Sequence, residues 1–304
     1  MQKRLVAQGN ATLTLSLPSK WIKENNLAKG DEVNLNVEGK DIVISTENKD
    51  GLEKLTLDTK TQSFEKQYLH TFYHLGFDEV EILYQDQKVV DLIKKHIGGC
   101  IGFEIVDQTM DKIVIKNLSA GPMESEFNTI LRKIFLVTKD IGLQLEEFVQ
   151  NKNYDKIKSV ASMEDNNVKF ISFCLRVLNK HGYKDSQKKT NIYYAIIENL
   201  EMIGDEYKYL ANFIADNKKK IVIDKDLNQV LKQTNEFFQE FYDIFYKFEK
   251  DKQIDIIKMR NELYDKANEL FLKQDVYGAK FLHHLINIIN FTRETVNIYY
   301  EARF

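Results

Sequence analysis

Three carboxylates, Glu198, Glu201 and Asp205, recur at i, i+3 and i+7 in a stretch with helical apolar spacing, so one helix face carries all three. Carboxylates on adjacent turns repel unless something positive sits between them, and a cation with oxygen ligands would meet that need. The apolar stripe Ile192, Ile196, Leu200, Ile203, Tyr207, Leu210 and Ile214 puts the acids on the opposite face, away from the core. A plain solvated acidic face is the alternative. His70 and His74 lie four apart on another predicted helix, a spacing that can ligate zinc. No glutamate beside His70 completes an H-E-x-x-H pattern and no cysteine cluster adds ligands, so structural roles are expected. His283 and His284 are adjacent and leave their helix on different faces. The glycines of "GGCIGFE" follow a helix and open a strand, the reverse of a phosphate-loop context, and read as a turn. With no G-x-S-x-G, P-loop or Ser-His-Asp arrangement, no enzyme is expected.

A second kind of chemistry lies at the head of the chain. Lys3, Arg4, Lys20, Lys23 and Lys29 face a single acid, Glu24, within the opening residues, while the whole chain of 304 residues carries a net charge of only -3. A polyanion surface must therefore be local, and doubling it in a dimer would give a salt-dependent grip on phosphates. Arg4 is the candidate for contact beyond the backbone, because its planar fork can reach base edges where lysines act as point charges. The competing reading is a set of solvated charges on a small dimerisation module.

The elements that must position these residues follow from patterning. Residues 1–49 read as β-rich: Leu13, Leu15 and Leu17 alternate with Thr12, Thr14 and Ser16, Val33, Leu35 and Val37 alternate likewise, and Glu38-Gly39-Lys40 reads as a hairpin turn. Between them "PSKWIKENNLAKG" predicts one short helix with Pro18 near its start and Gly30 after its end. Fewer than about 50 residues seldom bury enough apolar surface alone, so this segment should dimerise. Residues 50–121 alternate strands and helices as a small α/β sandwich, closed by "SAGPMES". The only prolines are Pro18 and Pro122, and beyond the second lie six predicted helices, roughly 124–151, 153–182, 187–219, 225–250, 253–274 and 276–303. They read as two three-helix repeats in tandem, 122–220 and 221–304. The aromatic run "FFQEFYDIFYKF" keeps helical period and reads as packing rather than as a stacking box. Glu164 falls on an apolar stripe with Val160, Val168 and Ile171 and so needs a partner, such as Arg176 from elsewhere in a dimer or a tyrosine hydroxyl, or else marks a functional groove. Cys100 and Cys174 are far apart and read as core thiols of an intracellular protein. No secretory signal or apolar run of roughly 18 residues is visible, so a cytoplasmic protein without membrane insertion is expected.

These residues resemble known families. "RLVAQGNATLTLSLPSKWIKENNLAKGDEV" resembles the SpoVT/AbrB swapped-hairpin DNA-binding domain, in the variant where Ser-Leu-Pro-x-x-Trp leads into "LxKGDEV". "ASMEDNNVKFISFCLRVLNK" and "YYAIIENLEMIGDEYKYLANFI" resemble the second and third helices of a PhoU repeat. The order of AbrB-like head, α/β segment and PhoU-like helices is similar to that of archaeal-type phosphate-uptake regulators. The resemblance implies a multidomain α+β chain: an AbrB-like, interleaved homodimeric β-barrel on double-stranded operator DNA, a small α/β sandwich, and PhoU-like tandem three-helix bundles. It implies a role in phosphate homeostasis, and, as the alternative, an adaptor that docks on a phosphate transporter or signalling kinase while the head only dimerises. It also implies surface iron or zinc held by acidic pairs, which Glu201 and Asp205 match. The pattern erodes elsewhere: Asp165 is followed by Lys169, an ordinary i, i+4 ion pair, while Asn287 and Phe291 replace the pair of the second repeat and leave Glu294 isolated. "RNELYDK" keeps only Glu262 and Asp265, three apart.

Overall fold

Threonine alternating with apolar residues builds the first strands. In the computed structural model, which describes residues 2–9, 12–38, 41–46, 52–59, 63–119, 123–248 and 252–303, β1 (Val6–Gln8) pairs antiparallel with β2 (Thr12–Thr14). Pro18 then caps α1 (Ser19–Glu24), its fixed φ of -63° suiting the first turn. The helix stops at a left-handed Asn26 (φ 51°), earlier than Gly30, which itself needs its glycine at φ 104°. β3 (Asn34–Glu38) and β4 (Asp41–Ser45) pair antiparallel, with Glu38 opposite Asp41; Gly39 and Lys40 lie outside the described residues. These elements belong to one compact unit, Met1–Leu52. The barrel expected here is not closed within one chain: the strands form two separate two-stranded sheets. Strands of three to five residues cannot close on themselves and keep free hydrogen-bonding edges.

Glu53–Phe304 form the second unit. β5 (Lys54–Asp58), α2 (Lys66–His74), β6 (Glu79–Leu83), α3 (Lys88–His96), β7 (Phe103–Gln108) and β8 (Lys112–Asn117) follow in order. The sheet runs β5-β6-β8-β7, parallel only where α2 makes the crossover from β5 to β6. Period-two alternation sorts its faces. Val80, Ile82, Ile113 and Ile115 are fully buried and share a core with Leu69 and Tyr73 of α2 and Val90 and Ile93 of α3. The residues between them are laced by ion pairs, with Glu79 meeting Lys116 at 2.9 Å and Lys54 at 3.3 Å, and Lys112 reaching Glu81 and Asp107.

Freedom from proline lets six helices run unbroken: α4 (Phe127–Gln150), α5 (Lys158–His181), α6 (Thr190–Asp216), α7 (Lys225–Tyr246), α8 (Lys252–Phe271) and α9 (Val276–Arg303). α4 packs on α5 and α6, and α7 and α8 pack on α9. Because α6 also lies against α9 and α4 against α7, the two trios share one continuous core rather than two. The aromatic run is packing: Phe135 of α4 meets Phe238, Phe241 and Phe245 with ring centres 4.7 to 6.1 Å apart. Gly142 permits a close crossing, since a Cβ there would lie 2.7 Å from Asn235 Oδ1 and 2.9 Å from the Tyr207 hydroxyl. That hydroxyl donates to Asn235 Oδ1 at 2.7 Å, and Asn235 Nδ2 donates back to the Gly142 carbonyl at 2.9 Å. Both cysteines are free and buried. No described helix is long and apolar enough to cross a membrane.

The sheet layer is tied to the helices through α5. Arg176, with no exposed surface, donates to the carbonyls of Tyr73 and Phe77 and pairs with Asp78 at 2.7 Å. Lys180 also reaches Asp78 and the Gly76 carbonyl, and Asn179 Nδ2 donates to the His74 carbonyl at 2.8 Å. Three side chains of α5 thus satisfy the carbonyls that the end of α2 leaves open, two of them as cations at the negative end of its dipole. The boundary expected at 121–122 falls outside the described residues.

Candidate nucleic-acid interface and acidic cluster

All five head cations, Lys3, Arg4, Lys20, Lys23 and Lys29, are exposed. Lys3 and Arg4 precede β1, Lys20 and Lys23 ride on α1, and Lys29 follows it. Lys20 meets Glu24 at 3.7 Å, a loose i, i+4 pair in open solvent that contributes little. Among the described residues the other four form no ion pair, so their charge is available to a polyanion. The apolar residues of the same unit are as exposed as the cations. Leu13, Leu35 and Ile42 keep 62 to 64% of their surface and Val37 keeps 76%, and no described residue of the unit is buried. Apolar surface on both hairpins with no core beneath it is the mark of a module completed by another chain.

In the helical unit the acids do not face solvent as expected. Glu198, Glu201 and Asp205 are half-buried. Burial, followed by the charges of Glu198, Asp205 and Glu164, pushes the Glu201 carboxyl up to about 7, and burial also raises Glu198. Glu164 is fully buried, but its partner is neither Arg176 nor a tyrosine: Lys208 of α6 donates to Glu164 Oε2 at 2.6 Å. Arg176 is committed to Asp78 in the same chain. Lys208 also reaches Asp165 at 2.9 Å and Asp205 at 3.9 Å, so Asp165 pairs with it and not with Lys169, which instead approaches Asn166. Of the three stacked carboxylates, Asp205 alone forms an ion pair with this ammonium group among the described residues. Among the described residues no three His, Cys, Asp or Glu come together in a set that could hold a metal ion. Lys208 was legible in one respect: it stands three residues after Asp205 and seven after Glu201, on the acidic face. On α9, Asn287 and His284 bind Glu206 of α6 at 3.0 and 2.6 Å, and Glu294 pairs with Arg293.

The raised Glu201 carboxyl has a consequence for stability. Its folded value of about 7 exceeds its ordinary 4.5, so across that window the folded chain holds a proton that the unfolded chain has released. Its contribution is therefore complete below the ordinary value and lost as pH climbs through the folded one. Burial holds His74 at about 4, below its ordinary 6.5, and this group costs stability as pH falls through the same range. The two slopes oppose each other in the native chain. Glu201→Gln removes one of them, and its melting temperature should gain on that of the native chain as pH rises from about 5 to about 8; parallel profiles would show that Glu201 is not held protonated.

The geometry of the head is that of a cationic, partner-seeking β module. Residues 6–51 match the family model for antidote-toxin recognition MazE, a bacterial antitoxin. The head is a MazE/AbrB-like domain, and such domains typically dimerise and bind DNA. No curated protein matches the chain, and no solved structure does.

Proposed function

We propose that the chain is a homodimeric DNA-binding regulator whose two heads knit together through the exposed faces of β1–β4 and gather Lys3, Arg4, Lys20, Lys23 and Lys29 on one duplex-facing surface, with Glu53–Phe304 as the sensing body. The observation that carries this reading is the coincidence, in the MazE-matching segment and the residues just before it, of exposed cations, Lys3, Arg4, Lys23 and Lys29 unpaired among the described residues, with apolar strands that bury nothing in a single chain. A second copy supplies the strand edges and apolar cover that each hairpin lacks. A closed, interleaved barrel is the arrangement that meets both needs. The tie to phosphate uptake draws on the likeness of the α5 and α6 sequences to PhoU helices.

Duplex titration tests the reading. The full chain should bind double-stranded DNA with an affinity that falls roughly a thousandfold between about 50 and about 200 mM salt, as neutralising several phosphates requires. Arg4→Ala should weaken its preferred sequence by about 1–3 kcal/mol, the worth of a bidentate base contact. A chain that dimerises yet ignores duplex at low salt would overturn the proposal and favour a head that serves assembly alone, as in an adaptor for a transporter or kinase.

A further inference from the structure

α2 and α3 hold Lys66, His70, Lys95 and His96 along one wall of a cleft of about 660 Å³, and α5 and α6 supply the facing wall, with Asp165, Ser172 and Glu201. The charged neighbours that act on His70 and His96 are Lys66, Lys95 and His96 itself, all of one sign. Among the described residues neither lysine forms an ion pair. The opposite wall does not cancel this charge. Asp165 is already paired with Lys208 at 2.9 Å, and Glu201, pushed up to about 7, carries its proton for much of the time near neutrality.

Two imidazoles beside the lysines are held in place. Ser172 Oγ lies 3.0 Å from His74 Nε2 and 3.4 Å from His70 Nδ1, so one hydroxyl is shared between the two rings and orients both. Gly99, in the 3-10 turn Ile97–Gly99 that follows α3, lets the backbone pass the His70 ring, since a Cβ there would come within 2.7 Å of Cε1. Two lysines without an ion pair, set beside oriented imidazoles in one cleft, describe a site for a small anion. The volume exceeds what a bare inorganic anion fills and lies in the range of organic-ligand clefts, roughly 300–1,000 Å³.

We propose that this cleft binds a small organic phosphate ester, with its phosphate between Lys66, Lys95 and His96 and the N–H or O–H donors of its far end on Asp165 and Glu201. As the signal of a DNA-binding regulator the ligand rests on the function proposed above; the binding itself does not. Calorimetric titration of the full chain, without DNA, with adenosine 5′-monophosphate, ribose 5-phosphate and inorganic phosphate tests it. At least one ester should saturate a single site and raise the melting temperature, and inorganic phosphate should bind more weakly. The double variant Lys66→Gln, Lys95→Gln changes exposed side chains only and should melt as the native chain does while losing about a hundredfold in ester affinity, a tenfold loss for each charge-assisted contact. Failure of both esters to saturate at millimolar concentration, equal affinity for inorganic phosphate, or an unchanged affinity in the double variant would each overturn the proposal. A chain that binds duplex but neither ester would sink this site alone and leave the regulator reading standing.

Discussion

Lys208→Met is expected to destabilise the helical unit by about 3–5 kcal/mol, the cost of leaving a buried charge without its partner. Glu164 has no exposed surface, and its other oxygen, Oε1, has no hydrogen-bond partner among the described residues, so Lys208 is the group that compensates its charge. Gly204 of α6 crosses Glu164 closely, since a Cβ there would lie 3.4 Å from its Cγ, and this leaves the carboxylate little room to swing toward water. The melting temperature should fall by roughly 10 °C, given about 2–4 °C per kcal/mol for a unit of this size. Two further measurements separate charge from packing. Burial already raises the Glu164 carboxyl above its ordinary value, so without Lys208 it will take up a proton more readily, and the deficit of the variant should shrink as pH falls. Glu164→Gln in the same background should restore much of the loss, because a neutral amide needs no counter-ion. A deficit that is flat with pH and untouched by the second change would mean that the ammonium group acts only through its packing.

Arg176→Met is expected to cost a similar amount, about 3–5 kcal/mol, by a different route. Arg176 closes three interactions at once: two carbonyls at the end of α2 and the carboxylate of Asp78, while its guanidinium stacks 5.0 Å from the Tyr73 ring centre. Removing it leaves the Phe77 carbonyl without the guanidinium donor in a buried interface, the Tyr73 carbonyl with the Gly76 amide, and Asp78 with Lys180 and the Glu53 amide. Hydrogen exchange should report the change where the interface lies. Amides of α2 and the start of β6 should lose protection, while those of α7 and α9, which pack chiefly on helices other than α5, keep theirs. Arg176→Lys should rescue little, since one ammonium cannot span the fork of acceptors. Uniform loss of protection across the six helices would show that the arginine supports the whole unit rather than the seam.

The elements of this chain are written in its local patterning. Six helices follow from apolar stripes such as Ile196–Leu200–Ile203–Tyr207 and from the absence of proline, because helical period and its interruption are properties of neighbouring residues. The strands follow from alternation for the same reason, and the excess of cations at the head can be counted directly. What joins the elements could not be read that way. Glu164 announced its need for a partner by its register, but Lys208 stands 44 residues away on another helix, and Arg176 finds Asp78 across 98 residues. The basic wall of the cleft likewise comes from one layer and its acidic wall from another. Periodicity states which face of a helix is buried; only the packing of one helix on the next decides which charge that face will meet, because a buried ion is stabilised by whatever group the fold brings within a few ångströms, however distant it is along the chain.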